Sequence, residues 1–146
     1  RARGRRGRGD RDVVTRYVVD AGVVLRLAAE GVVVGGDDEL LAPTLVRSQT
    51  LSLLHEAVQR GDLTAGEGRE RLTAVNAVLQ RTRLLGDAVL RRTAWDLATR
   101  LGWASTYDAE YVGLTRLQGD AFVTLDPELA RRAADEVTTA PYEALG

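Results

Sequence analysis

The chain of 146 residues has no cysteine, no lysine and no methionine, and a single histidine, His55. Without cysteine there is neither a disulfide nor a thiolate zinc site, and one histidine rules out a multi-histidine metal centre. Any metal site must use oxygen ligands, which favours magnesium or manganese. Without lysine, Schiff-base chemistry and the P-loop are excluded. Long apolar runs are missing too: no stretch approaches the ~20 residues of a membrane span. The first residues lack the apolar segment of a signal peptide, so the expected address is the cytoplasm.

What is present is an ordinary globular mixture, 45% hydrophobic and 28% charged, at a length suited to one domain. Charge is unevenly placed. Residues 1–11, "RARGRRGRGDR", carry six arginines and one aspartate, net +5, leaving net −6 for the rest. A Gly/Arg segment without apolar residues cannot fold alone. Residues 1–14 are expected to be a disordered basic arm or an upstream extension, and 15–146 the folded domain. The arm could serve as an electrostatic tether for nucleic acid.

Along the chain, "RYVVDAG" (16–22) predicts a buried strand entering a turn, and "VVLRLAAEG" a short helix stopped by Gly31. A second strand is expected at Glu39–Ala42. The segment 44–61 carries a helical stripe of Leu45, Ser48/Gln49, Ser52/Leu53 and Glu56/Ala57, with Leu51, Leu54 and Val58 as a second apolar edge. Residues 63–86 and 87–103 each predict an amphipathic helix. "STYDAEYVGLTRLQGDAFVTLD" (105–126) reads as helix, turn and strand, and a short strand is possible near Val137–Thr139. Short buried strands alternating with helices argue for an α/β fold with a parallel sheet covered on both faces.

In such a sheet the residues that follow the strands lie along one edge, where ligand crevices form. Asp20 ends the first strand, Asp126 follows "AFVTL", and Asp108 opens the helix that runs back down the sheet. Three carboxylates converging there repel one another, and a divalent cation resolves that repulsion. Each aspartate also has a structural reading. Asp20 and Asp126-Pro127 suit helix N-caps, and Ser105-Thr-Tyr-Asp108 fits a capping-box-like pattern. Taken together at one edge, Asp20, Asp108 and Asp126 are expected to form the catalytic and metal-binding site. Trp95 and Trp103 are expected in the core or a dimer interface. Arg47 reads as a solvated helix residue that could contact a phosphate, His55 as structural or exposed, and Glu110 as facing solvent or lining the rim of the site.

"YVVDAG", "STYDAEYVGLTRL" and "AFVTLD", in that order and spacing over residues 16–135, resemble the PIN-domain ribonucleases, most closely the VapC-type toxins of toxin–antitoxin pairs. The resemblance implies a three-layer α/β/α sandwich with a mostly parallel central sheet. It implies a Mg2+- or Mn2+-dependent endoribonuclease that forms a homodimer and is neutralised by a VapB-like antitoxin; hydrolysis through a metal-bound water should leave a 5′-phosphate and a 3′-hydroxyl. It also implies that Asp20, Asp108 and Asp126 hold the metal, with Thr124 as a polar neighbour or substrate contact.

One position departs from the pattern. The family usually places a glutamate in the helix after the second strand, as in "APxLxRxEV"; here "APTLVRSQT" puts Gln49 in its place. The amide oxygen could still ligate or orient a water. Glu56 could reach in, although two turns, ~10 Å along the axis, argue against it. Or activity could be weak, leaving a PIN-like module that acts through protein partners. A phosphate-accepting receiver domain also gathers acids at a sheet edge, but it needs a lysine that this chain lacks.

Overall fold

A computed structural model describes residues 14–146. The basic arm expected over residues 1–14 thus lies almost wholly outside the described residues. Four strands form one sheet: β1 (Arg16–Val19), β2 (Glu39–Pro43), β3 (Thr82–Leu85) and β4 (Ala121–Val123). Their order is β3-β2-β1-β4 and every pairing is parallel. A parallel bridge from Phe122 to Thr139 extends the β4 edge where a short strand was anticipated. Between the strands run α1 (Ala21–Glu30), α2 (Leu45–Gln59), α3 (Ala65–Gln80), α4 (Ala88–Leu101) and α5 (Tyr107–Gln118), and α6 (Pro127–Ala133) follows β4. The helices α1, α2 and α3 pack on one another, as do α4 and α5, giving the α/β/α sandwich.

Parallel strands buried on both faces need apolar side chains in both directions. Val18 and Val19 of β1, Leu41 and Ala42 of β2, and Phe122 and Val123 of β4 all have 0% exposure. Burying each larger side chain contributes about 1.5–3 kcal/mol. Tyr111 of α5 packs on Phe122 with ring centroids 6.3 Å apart, tying that helix to the sheet. The lower end of α5 is tied as well: the Asp120 amide donates to the Arg16 carbonyl at 2.7 Å, and the Arg16 amide donates back to the Asp120 carboxylate at 2.8 Å. Gly119 lies so close to β1 that a Cβ would stand 2.7 Å from the Val18 Cγ2, so only glycine fits that turn.

Two elements differ from the sequence expectation. The amphipathic pattern of 63–86 is not one helix: α3 ends at Gln80, and Thr82–Leu85 forms β3, paired with β2 in the register Leu40 to Thr82. Four residues without alternation carry no strand period, and the pairing with β2 decides their conformation. In α2, Val46, Thr50 and Leu54 face the core, while the Gln49, Ser52, Leu53 and Glu56 stripe faces a cleft.

Candidate active site

The strand order places the site. The chain winds β1, β2, β3 in one direction, then returns to set β4 on the other side of β1. The order therefore reverses between β1 and β4, and the crevice of an open α/β sheet lies outside the carboxyl ends at such a point. Asp20 is the residue after β1 and Thr124 the residue after β4. Strand β4 ends earlier than "AFVTLD" suggests, at Val123, and Asp126 stands beyond it at the start of α6. Asp108 occupies the first turn of α5.

All three aspartates line one cleft of about 330 Å3, together with Gln49, Ser52, Glu56 and Tyr111. The capping readings hold for two of them. Asp20 caps α1, its Oδ1 accepting from the Val23 amide at 3.1 Å. Asp126 caps α6, its Oδ1 accepting from the Glu128 and Leu129 amides at 3.0 and 3.3 Å, with Pro127 at the first helical position. Asp108 does not cap α5: Ser105 Oγ accepts the Tyr107 amide instead, at 3.2 Å.

Capping occupies one carboxylate oxygen and leaves the other. The Asp20 Oδ2 accepts from the Thr124 hydroxyl, a short contact of 2.5 Å across the switch point. Thr124 Oγ1 in turn accepts from the Asp126 amide at 3.1 Å, so one hydroxyl couples two of the three acids. The Asp108 Oδ2 accepts from Arg132 of α6 at 3.3 Å, and the Arg132 guanidinium lies 4.8 Å over the Trp103 ring. Burial pushes the Asp20 carboxyl above its usual range; the bonds from Thr124 and Val23 oppose this, and the charges of Asp108 and Asp126 add to it. The Tyr111 hydroxyl is also held well above its ordinary range, first by burial and then by the charge of Asp20, so it keeps its proton.

Among the described residues no three acidic or histidine side chains stand close enough to enclose an ion unaided. The donor set nevertheless fits a hard divalent cation in kind. It is all oxygen, and magnesium takes one or two carboxylates, keeping several of its waters. Among the described residues nothing donates a hydrogen bond to the Oδ2 of Asp126 or the Oδ1 of Asp108, and both residues line the cleft.

Some surroundings of the three aspartates differ from the sequence reading or were missed by it. Tyr111 donates to the Gln49 Oε1 at 2.6 Å; its position one turn after Asp108 was a usable signal. Glu56, set aside on distance along the helix axis, does line the cleft, because the cleft runs along α2 and includes residues two turns apart. Glu110 is half-buried rather than solvated, and burial raises its carboxyl. Trp95 is 68% exposed and is no core residue, whereas Trp103 packs against the core.

No protein-family model matches the chain, and no curated protein matches it either. Among solved structures it is similar to the crystal structure of PAE2754 from Pyrobaculum aerophilum, with a TM-score of 0.68 and 22% identity over 91% of this chain and 95% of that one. That likeness shows the α/β/α fold. No described helix is long and apolar enough to cross a membrane.

Proposed function

We propose that the protein is a metal-dependent endoribonuclease of the VapC type. The observation that carries this reading is the gathering of Asp20, Asp108 and Asp126 from three elements into one cleft at the topological switch point, close enough that two of them load the third electrostatically. The order and spacing of the three motifs around these acids support it. Asp20, Asp108 and Asp126 would hold Mg2+ or Mn2+ there. Bound in the cleft, such an ion supplies positive charge to the scissile phosphate and acidity to a water. The chain's own part is orientation. The Thr124 hydroxyl fixes the Asp20 carboxylate, the N-terminus of α6 fixes that of Asp126, and Arg132 balances the charge of Asp108.

The partners in this reading are an RNA substrate, a second copy of the chain and a VapB-like antitoxin. An acidic balance, net −6 beyond residue 11, suits a basic antitoxin segment. The test is cleavage of a labelled RNA panel with Mn2+, with Mg2+ and with chelator, using the wild type and Asp108→Asn. Cutting that needs metal and is lost in the variant is the expected result. Two observations favour a second reading, a catalytically idle PIN-like module acting through protein partners: the acids do not close into a ready-made cage among the described residues, and Gln49 stands where a glutamate is usual. A folded sample that cuts nothing under any metal would establish that reading instead.

A further inference from the structure

We propose that Gln49 binds the RNA backbone, giving an amide N–H to a phosphate oxygen beside the carboxylates, and is not a metal ligand. The inference rests on the nuclease reading above and assigns this position a different task from the glutamate it replaces.

The cleft is rich in acceptors: Asp20, Asp108, Asp126 and Glu56. A phosphodiester is an anion and needs donors. Two of the other polar side chains lining the cleft have already given their hydrogens away. The Ser52 hydroxyl donates to Glu56 at 2.9 Å, and the Tyr111 hydroxyl donates to the Gln49 Oε1. That leaves the Gln49 amide nitrogen, whose two N–H groups find no partner among the described residues. They are the uncommitted side-chain donors of the cleft.

The orientation of that amide is set from below. Tyr111 is 2% exposed and its ring is packed on Phe122, so the hydroxyl is delivered from a fixed point in the core. A primary amide has one acceptor atom and one doubly donating atom, joined in a plane. With the oxygen committed to Tyr111, the nitrogen is turned away from it. An N–H cannot ligate a cation, but it suits a phosphate oxygen, and a bond of this kind to a charged acceptor is among the stronger ones. A glutamate at the same place would add a negative charge facing the phosphate.

The test measures metal and RNA separately on the full chain. Mn2+ affinity comes from calorimetry without RNA, and KM and kcat from RNA cleavage, for the wild type, Gln49→Leu, Gln49→Glu and Tyr111→Phe. Gln49→Leu is expected to leave the Mn2+ affinity within about twofold and to raise KM roughly tenfold or more. Tyr111→Phe, which frees the amide while keeping the ring in the core, should shift KM the same way by less, again with Mn2+ affinity unchanged. Gln49→Glu should tighten Mn2+ and still raise KM. A fivefold or greater loss of Mn2+ affinity in Gln49→Leu with KM unchanged would overturn the inference and make the amide oxygen a ligand. Asp20→Asn separates the two layers of the argument. If it leaves the Mn2+ affinity unchanged and the wild type cuts no RNA, the nuclease reading itself falls, and the inference with it.

Discussion

The N-termini of α1 and α4 are nearly the same object locally. Asp20 caps the first with φ −94° and ψ −179°, and Asp87 caps the second with φ −85° and ψ −178°. Each gives one carboxylate oxygen to the amide three residues on, Val23 at 3.1 Å and Leu90 at 2.9 Å. The difference lies across the sheet. The second oxygen of Asp20 meets Thr124, just past β4, and its charge feels Asp108 and Asp126; Asp87 is exposed, and among the described residues its carboxylate accepts from the Leu90 amide alone. An aspartate at a helix start is therefore no sign of function in itself. On the proposed reading, what sets Asp20 apart is that topology brings a second and third acid to the same edge.

That contrast can be broken or sharpened by substitution. The largest expected effect is on cleavage: Asp20→Asn should reduce it by about a hundredfold or more, since charge supplied to a phosphate is worth several kcal/mol, while Asp87→Asn should leave it unchanged in the same RNA assay. If both variants lose activity equally, the two caps are not different in kind. Next in size is stability. Asp87→Ala removes a cap and should cost about 1 kcal/mol in denaturant melts. Asp20→Asn should do the reverse near neutral pH. Because burial holds the Asp20 carboxyl above its ordinary value of 3.8, its ionisation works against the fold. The stability associated with the protonated form is fully present below the unfolded value and is lost as pH rises through the folded one. Asparagine cannot ionise and still caps α1, so the variant should melt higher than the wild type at pH 7, with the gain fading toward pH 3. A lower melting temperature at pH 7 would contradict the buried, loaded carboxylate.

A smaller effect on cleavage is expected at Thr124. Thr124→Val keeps the shape but removes the hydroxyl that links Asp20 to the Asp126 amide. Cleavage should fall roughly tenfold, in line with one lost bond to a charged group, and Thr124→Ser should restore most of it. Equal activity in the valine and serine variants would show that the hydroxyl orients nothing.

Much of this was legible in the sequence. The three aspartates and the parallel α/β fold could be read from strand ends and motif order, because a β-branched run that ends in Asp-Ala-Gly states both the strand and its edge. Strand β3 could not, since Thr82–Leu85 continues the apolar spacing of α3 and becomes a strand only by pairing with β2. The Gln49–Tyr111 bond joins residues 62 positions apart on two helices, a contact no local pattern encodes. Glu56 shows the opposite failure. Its spacing from Gln49 placed it on the same face, and only the extent of the cleft along α2 was missing.

The central claim is that Asp20, Asp108 and Asp126 form one ion-binding site at the switch point of the sheet. The most direct measurement is paramagnetic broadening of amide NMR signals as Mn2+ is titrated into the protein. The expected result is broadening strongest at residues 20–23, 108–111 and 124–129, weaker at the opposite edge of the sheet around Arg16 and Asp120, and lost in Asp20→Asn. Broadening centred elsewhere, or spread evenly over the acidic surface, would contradict it.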